Sequence, residues 1–173
     1  ADDDEAERSR AGAVYLVRGR EREAWKRRSD LSRDADLGFT GKFEDEHIGR
    51  NLMMLQWDGA GSLDLAAAAN LAPAGTPARE RAGRVFLVMG RGDLFAITAQ
   101  RLILDDVVDR LIEGGGAKDQ CGYALGRSRD ATSPRERLII GAPFADGRRG
   151  ERGDAGEIYI IGSDAPSSSR PAP

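Results

Sequence analysis

The chain has 173 residues, with 26 basic and 29 acidic side chains, a formal net charge of −3 and a pI near 5.3, so no overall basic field draws it to nucleic acid or to an anionic membrane. It contains no apolar run of about 18 residues, the length a membrane-spanning helix needs. Its one cysteine, Cys121, excludes an internal disulfide and any cysteine-based zinc cluster.

Residues 1–10 are polar and lead into Ala11-Gly12. Val14-Tyr15-Leu16-Val17, a β-branched and aromatic run stopped by Gly19, predicts a strand. Residues 20–35 are dense in Arg, Glu and Asp, with Trp25 and Leu31 the large apolar side chains among them, and read as a solvated connection. Asp36 to Gly41 (DLGFTG) matches Asp109 to Gly114 (DRLIEG), 73 residues on, and both read as the outermost strand of a unit. From Glu46 the chain runs through HIGRNL, a polar turn at Asp58-Gly59, LDLAAAAN, a loop with Pro73, Gly75 and Pro77, and AGRVFLV. Gly- and Pro-rich turns between short apolar runs predict antiparallel strands. Ala96 to Ile112 carries Leu104, Val107 and Leu111 at spacings a helix also uses; the match to DLGFTG favours a strand for its last part. Ser163 to Pro173 is a Ser/Pro/Ala linker or disordered end.

These segments recur. Gly122 to Ile161 lies on Gly49 to Val88 without a gap, setting Leu138 on Leu65, Ala142 on Ala69 and Ala155-Gly156 on Ala82-Gly83, and the first 17 residues lie in the same way on Ala145 to Ile161. A 73-residue period predicts units that each leave an apolar face for a neighbour to cover. The expected organisation is the second half of a unit at 1–44, a complete unit at 45–117, most of a third at 118–163, and a Ser/Pro tail at 164–173.

Ile139-Ile140-Gly141-Ala142-Pro143 followed by Ala155-Gly156-Glu157-Ile158-Tyr159, with Cys121-Gly122 upstream, resembles the FG-GAP repeat of integrin α-type β-propellers and their bacterial relatives. The Phe-Gly pair is replaced by Ile48-Gly49 and Cys121-Gly122, and Gly-Ala-Pro becomes Ala68-Ala69-Asn70 in the complete unit. The resemblance implies an all-β, partial propeller of antiparallel four-stranded blades. It implies a non-catalytic binding or adhesion module, extracellular, on the cell surface or periplasmic, with a protein or glycan partner. Two other readings stay open: a substrate-binding part of a secreted hydrolase, or a structural subunit pairing with neighbours or with copies of itself through exposed edge strands.

The resemblance also implies a calcium loop of the form D-x-D-G-D-G-x-x-D, whose alternate oxygens surround a hard cation. The positions here are Gln56, Asp58, Ala60 and Asp64, with Gly59 and Gly61 kept, so the expected metal residues are Gln56, Asp58 and Asp64; a plain Gly-rich turn is the alternative. The next unit has Arg129, Ala131, Ser133 and Arg137 there, with Arg137 supplying its own cation. No Ser/His/Asp or paired-carboxylate arrangement is placed by the sequence, and His47, the single histidine, reads as a surface or packing residue. Cys121 reads as a small core residue, Trp25 and Trp57 as packing or ligand-stacking residues, and the tripeptides at 91–93 and 152–154 (Arg-Gly-Asp) as exposed turns.

Overall fold

Alternating apolar runs form ten strands among the residues that the computed structural model describes: 9–91, 101–129, 132–147, 150 and 152–163. They are β1 (Ala13–Leu16), β2 (Leu37–Thr40), β3 (Asn51–Leu55), β4 (Asp64–Ala69), β5 (Arg84–Val88), β6 (Arg101–Ile103), β7 (Arg110–Glu113), β8 (Ala124–Arg129), β9 (Glu136–Ala142) and β10 (Glu157–Ile161). Single helical turns occur at α1 (Leu31–Asp34) and α2 (Leu104–Val107). The strands make three sheets, in the orders β1-β2-β6, β3-β4-β5-β7 and β8-β9-β10. The fold is mostly β, with sheets of three or four strands that are antiparallel throughout except between β2 and β6.

The 73-residue period is kept at the level of individual residue pairs. Asn51 faces Ala68 and Leu65 faces Val88 in the middle sheet, while Ala124 faces Gly141 and Leu138 faces Ile161 in the last. In the first sheet Ala13 faces Thr40 and Leu16 faces Leu37, the same register in which Arg84 faces Glu113 and Leu87 faces Arg110, although β1 and β5 are 71 rather than 73 residues apart. In β9, where burial alternates along the strand, a one-residue slip would turn the buried side chains to the wrong face, which enforces this register.

Burial explains the composition of the middle strands. Successive residues of a strand point to opposite faces. Leu65, Ala67, Ala69, Phe86 and Val88 join Val14, Leu37, Phe39 and Leu104 in a core between the first two sheets. Ala66, Ala68, Val85 and Leu87 join Leu55, Trp57, Leu138 and Ile140 in a second core between the middle and last sheets. Ala66 to Ala69 are fully buried, and their small side chains let β4 sit between two neighbouring sheets.

Each unit is joined to the one before it by a repeated set of backbone bonds. Gly41, Asp45, His47 and Ile48 donate to the carbonyls of Gly12, Ser9, Arg10 and Ala11; Gly114, Lys118, Gln120 and Cys121 donate to Gly83, Glu80, Arg81 and Ala82. The close approach requires glycine. Gly12 and Gly83 have φ of +83° and +87°, and a Cβ on Gly83 would lie 2.2 Å from the Cys121 carbonyl oxygen.

The first sheet departs from the expected antiparallel pattern. β6, which belongs to the connection between β5 and β7, pairs in parallel with β2, with Phe39 opposite Leu102. β2 is therefore not outermost: the second unit clasps the first. α1 and α2 are 73 residues apart, yet Leu104 is fully buried whereas Leu31 is 48% exposed. The residues before them give the reason, because Leu102-Ile103 can pair and bury where the equivalent Ser29-Asp30 cannot, and Asp30 instead caps α1 by accepting from the Ser32 N–H. The expectation of a strand at the end of 96–112 corresponds to β7; residues 96–100, like 164–173, lie outside the described residues.

Candidate functional site

The turn between β3 and β4 holds the three residues expected to ligate a metal. Asp64 is buried and its carboxylate accepts the N–H groups of Trp57 (2.8 Å), Gly90 (2.9 Å) and Asp58 (3.4 Å). Asp58 accepts from the Ala60 N–H at 2.7 Å, and the Gln56 side-chain amide donates to the Gly61 carbonyl at 3.1 Å. Backbone donors thus converge on Asp64 and balance its charge, an arrangement that closes a turn; an oxygen cage for a hard cation needs the reverse polarity around its centre. The donor set does not fit calcium at Asp64, and no cluster of three or more Asp, Glu, His or Cys side chains suited to a metal occurs among the described residues.

Glu136, not singled out in the sequence, ties this turn to the next sheet. Its carboxylate accepts the Gln56 N–H at 2.8 Å and pairs with Arg127 (3.1 Å) and Arg129 (3.5 Å), while its own N–H donates to the Gln56 carbonyl at 2.7 Å. The Gln56 N–H first, and the two arginines with it, hold the Glu136 carboxyl below its ordinary value. Arg135 Nε adds a bond to the Asp58 carbonyl at 3.2 Å.

A second cluster lies at the join between the first two units. Arg84, at the start of β5, is buried and pairs with Glu46 (3.3 Å), with Asp105 of α2 and with Glu113 of β7 (3.7 Å). Its guanidinium lies 4.8 Å from the Phe86 ring centre and 5.6 Å from that of Phe43. One cation thus serves three carboxylates. Burial pushes the Glu46 carboxyl up, against the N–H groups of Phe43 and Lys42 that stabilise its charge. Glu46 and its counterpart Asp119 each lie between two residues of positive φ, Asp45 and His47, and Lys118 and Gln120. Glu46 and Asp119 are 73 residues apart but lie outside the aligned segments, and Arg84 carried no signal, since its counterparts are Ala13 and Glu157.

Two surfaces present aromatic side chains. Trp25 is 47% exposed beside a cavity of about 360 Å³ lined also by Val17, Arg20, Lys26, Leu31 and Arg33, and its indole N–H donates to the Arg20 carbonyl at 3.1 Å. At the start of the inner strands the Arg50 guanidinium lies 5.1 Å from the Tyr123 ring centre, and Tyr123 meets Phe144 edge-on at 6.4 Å. Trp57, by contrast, is core.

The remaining candidates are placed as follows. His47 is on the surface, 3.6 Å from Asp45. Cys121 is buried and its thiol is pushed up to about 12, mainly by burial, which removes the thiolate a nucleophile needs. Arg152-Gly153-Asp154 forms an exposed turn, with the Asp154 N–H bonded to Asp146 at 3.1 Å. Arg91 pairs with Asp109 at 2.9 Å, and residues 92 and 93 lie outside the described residues. No helix among the described residues is long and apolar enough to cross a membrane.

No protein-family model matches the chain, and no curated protein matches it.

Proposed function

We propose that this chain is part of a β-propeller of FG-GAP type, acting as a non-catalytic binding module in an extracellular, cell-surface or periplasmic setting. The observation that carries the reading is the residue-for-residue repetition of sheet register and junction bonds from one unit to the next, which is the behaviour of stacked blades. The exposed rims supply the binding groups: the Trp25 cavity and the Arg50–Tyr123–Phe144 stack offer flat aromatic faces beside cations, suited to a glycan or a protein side chain. Rigid sheets hold these loops in place.

The test is a panel of immobilised glycans and extracellular-matrix proteins probed with the full chain, in calcium and in chelator, alongside ester and glycoside hydrolysis assays. Saturable binding that is weakened at least tenfold by Trp25→Ala or Tyr123→Ala, without turnover, supports the proposal. Turnover of either substrate class by the purified chain contradicts it.

A further inference from the structure

The outer edge of β10 is unpaired among the described residues, and the same molecule contains the template for what fills it. β5, the counterpart of β10, carries β7 antiparallel on that edge, and β1 carries β2 in the same register. The covering strands share further features. Each follows an aspartate that accepts a backbone N–H from the end of the strand it covers: Asp36 from Arg18 at 2.8 Å, and Asp109 from Met89 at 2.7 Å. Each is followed by a glycine, Gly41 or Gly114, whose N–H bonds to the glycine opening the covered strand. On β10 the equivalent groups, the Gly162 N–H and the Gly156 carbonyl, stand at the same places.

Charge then fixes what a strand on this edge carries. Arg84 opens β5 and faces Glu113, but its counterpart on β10 is Glu157. Asp119, the counterpart of Glu46, has Asp146 and Glu157 beside it; burial first, and then these two carboxylates, push the Asp119 carboxyl up, against the Gly116 N–H and Arg79. At the position where the first junction has Arg84, the second has Glu157. Ile158, which faces away from the middle sheet, is 75% exposed, whereas its counterpart Val85 is fully buried and faces Ile112 of β7.

We infer that the β10 edge is a strand-acceptor site for an antiparallel partner segment of the form Asp-x-aliphatic-aliphatic-Lys/Arg-Gly, with the basic residue opposite Glu157 and an aliphatic residue opposite Ile158. The aspartate meets the Gly162 N–H, the glycine N–H meets the Gly156 carbonyl, and the basic side chain pairs with the Glu157 carboxylate, which already accepts the Tyr159 hydroxyl. Main-chain bonds give affinity, and the side chains opposite Glu157 and Ile158 give selectivity. A second copy does not meet the requirement through β7, which would set Glu113 against Glu157. The inference rests on the internal repeat alone and stands independently of whether the chain binds glycans or proteins elsewhere.

The test uses the full chain and two capped hexapeptides, Asp-Arg-Leu-Ile-Lys-Gly and the β7 sequence Asp-Arg-Leu-Ile-Glu-Gly. Binding is read by amide hydrogen exchange at 157–161 and by titration. The lysine peptide slows exchange there and binds about fivefold more tightly, the size of a cross-strand charge effect. High salt reduces the preference, and Glu157→Arg reverses it by recreating the Arg84–Glu113 pairing. The inference is overturned if neither peptide slows exchange at 157–161, or if the wild-type chain does not discriminate between them. It is also overturned if those amides are already protected without peptide in a chain of doubled native mass.

Discussion

Gly83→Ala tests the junction between units at its tightest point. The new Cβ would lie 2.2 Å from the carbonyl oxygen and 2.4 Å from the nitrogen of Cys121, both backbone atoms that cannot swing aside, at a φ of +87°. An L-residue in the left-handed region costs about 1–2 kcal/mol, and forcing a buried backbone contact apart costs a further ~1–3 kcal/mol. The expected loss is therefore roughly 2–5 kcal/mol, a large share of the ~5–15 kcal/mol that holds a typical domain folded. Two controls separate the terms. Gly61 has a φ of +96° but no atom within 4 Å of its Cβ position, so Gly61→Ala shows the backbone cost alone. Gly19 is open and not in the left-handed region, so Gly19→Ala stays within about 0.5 kcal/mol of wild type. Urea unfolding with unchanged slope gives all three values. If Gly83→Ala is no worse than Gly61→Ala, the close junction does not exist in solution.

Leu104→Ala is expected to cost about 2–5 kcal/mol by leaving a cavity between the first two sheets, whereas Leu31→Ala at the equivalent exposed position stays within about 0.5 kcal/mol; chemical denaturation compares them. Arg84→Met leaves Glu46 and Asp105 buried beside each other without their cation and is expected to cost about 3–5 kcal/mol at neutral pH, with part of the loss recovered when Glu46→Gln is added. Because the folded Glu46 carboxyl is raised above its ordinary value of 4.5, its ionisation lowers stability as pH rises from there through the folded value, so the penalty of Arg84→Met shrinks in acid. Glu136 has the opposite sign: its folded carboxyl is depressed, so its contribution is present above about 4.5 and is lost as pH falls through the folded value, and Glu136→Gln destabilises at pH 7 but little in strong acid. Asp64→Ala orphans the N–H groups of Trp57 and Gly90 and costs about 2–4 kcal/mol, while calcium and chelator leave the wild-type melting temperature alike.

The strands and their register were legible because Ala-Gly and the glycine of the Phe-Gly position anchor an ungapped alignment; a Cβ would strike backbone at Gly12, Gly49 and Gly83, and the side chains of Ala68 and Val85 at Gly122. Asp36 and Asp109 were matched by the same alignment and do the same job, each accepting a backbone N–H two strands' ends apart in sequence. β6 was not legible. Three residues that pair with a strand 63 positions earlier leave no local pattern, although the contrast between Leu102-Ile103 and Ser29-Asp30 marks which connection docks once the pairing is known. The turn at 56–64 was located from the motif, but the donors to Asp64 include Gly90, far along the chain, and its closure by Glu136 belongs to another unit. Arg84 stayed hidden because it breaks the repeat, and a reading built on recurrence cannot weigh the residue that occurs once.

Hydrogen exchange of the native chain, resolved to single amides, tests the repeat-array account most directly. The account predicts matched slow exchange at Ile48 and Cys121, and at His47 and Gln120, because each pair makes the same backbone bond one unit apart. Exchange at loop rates in both members of either pair would contradict it.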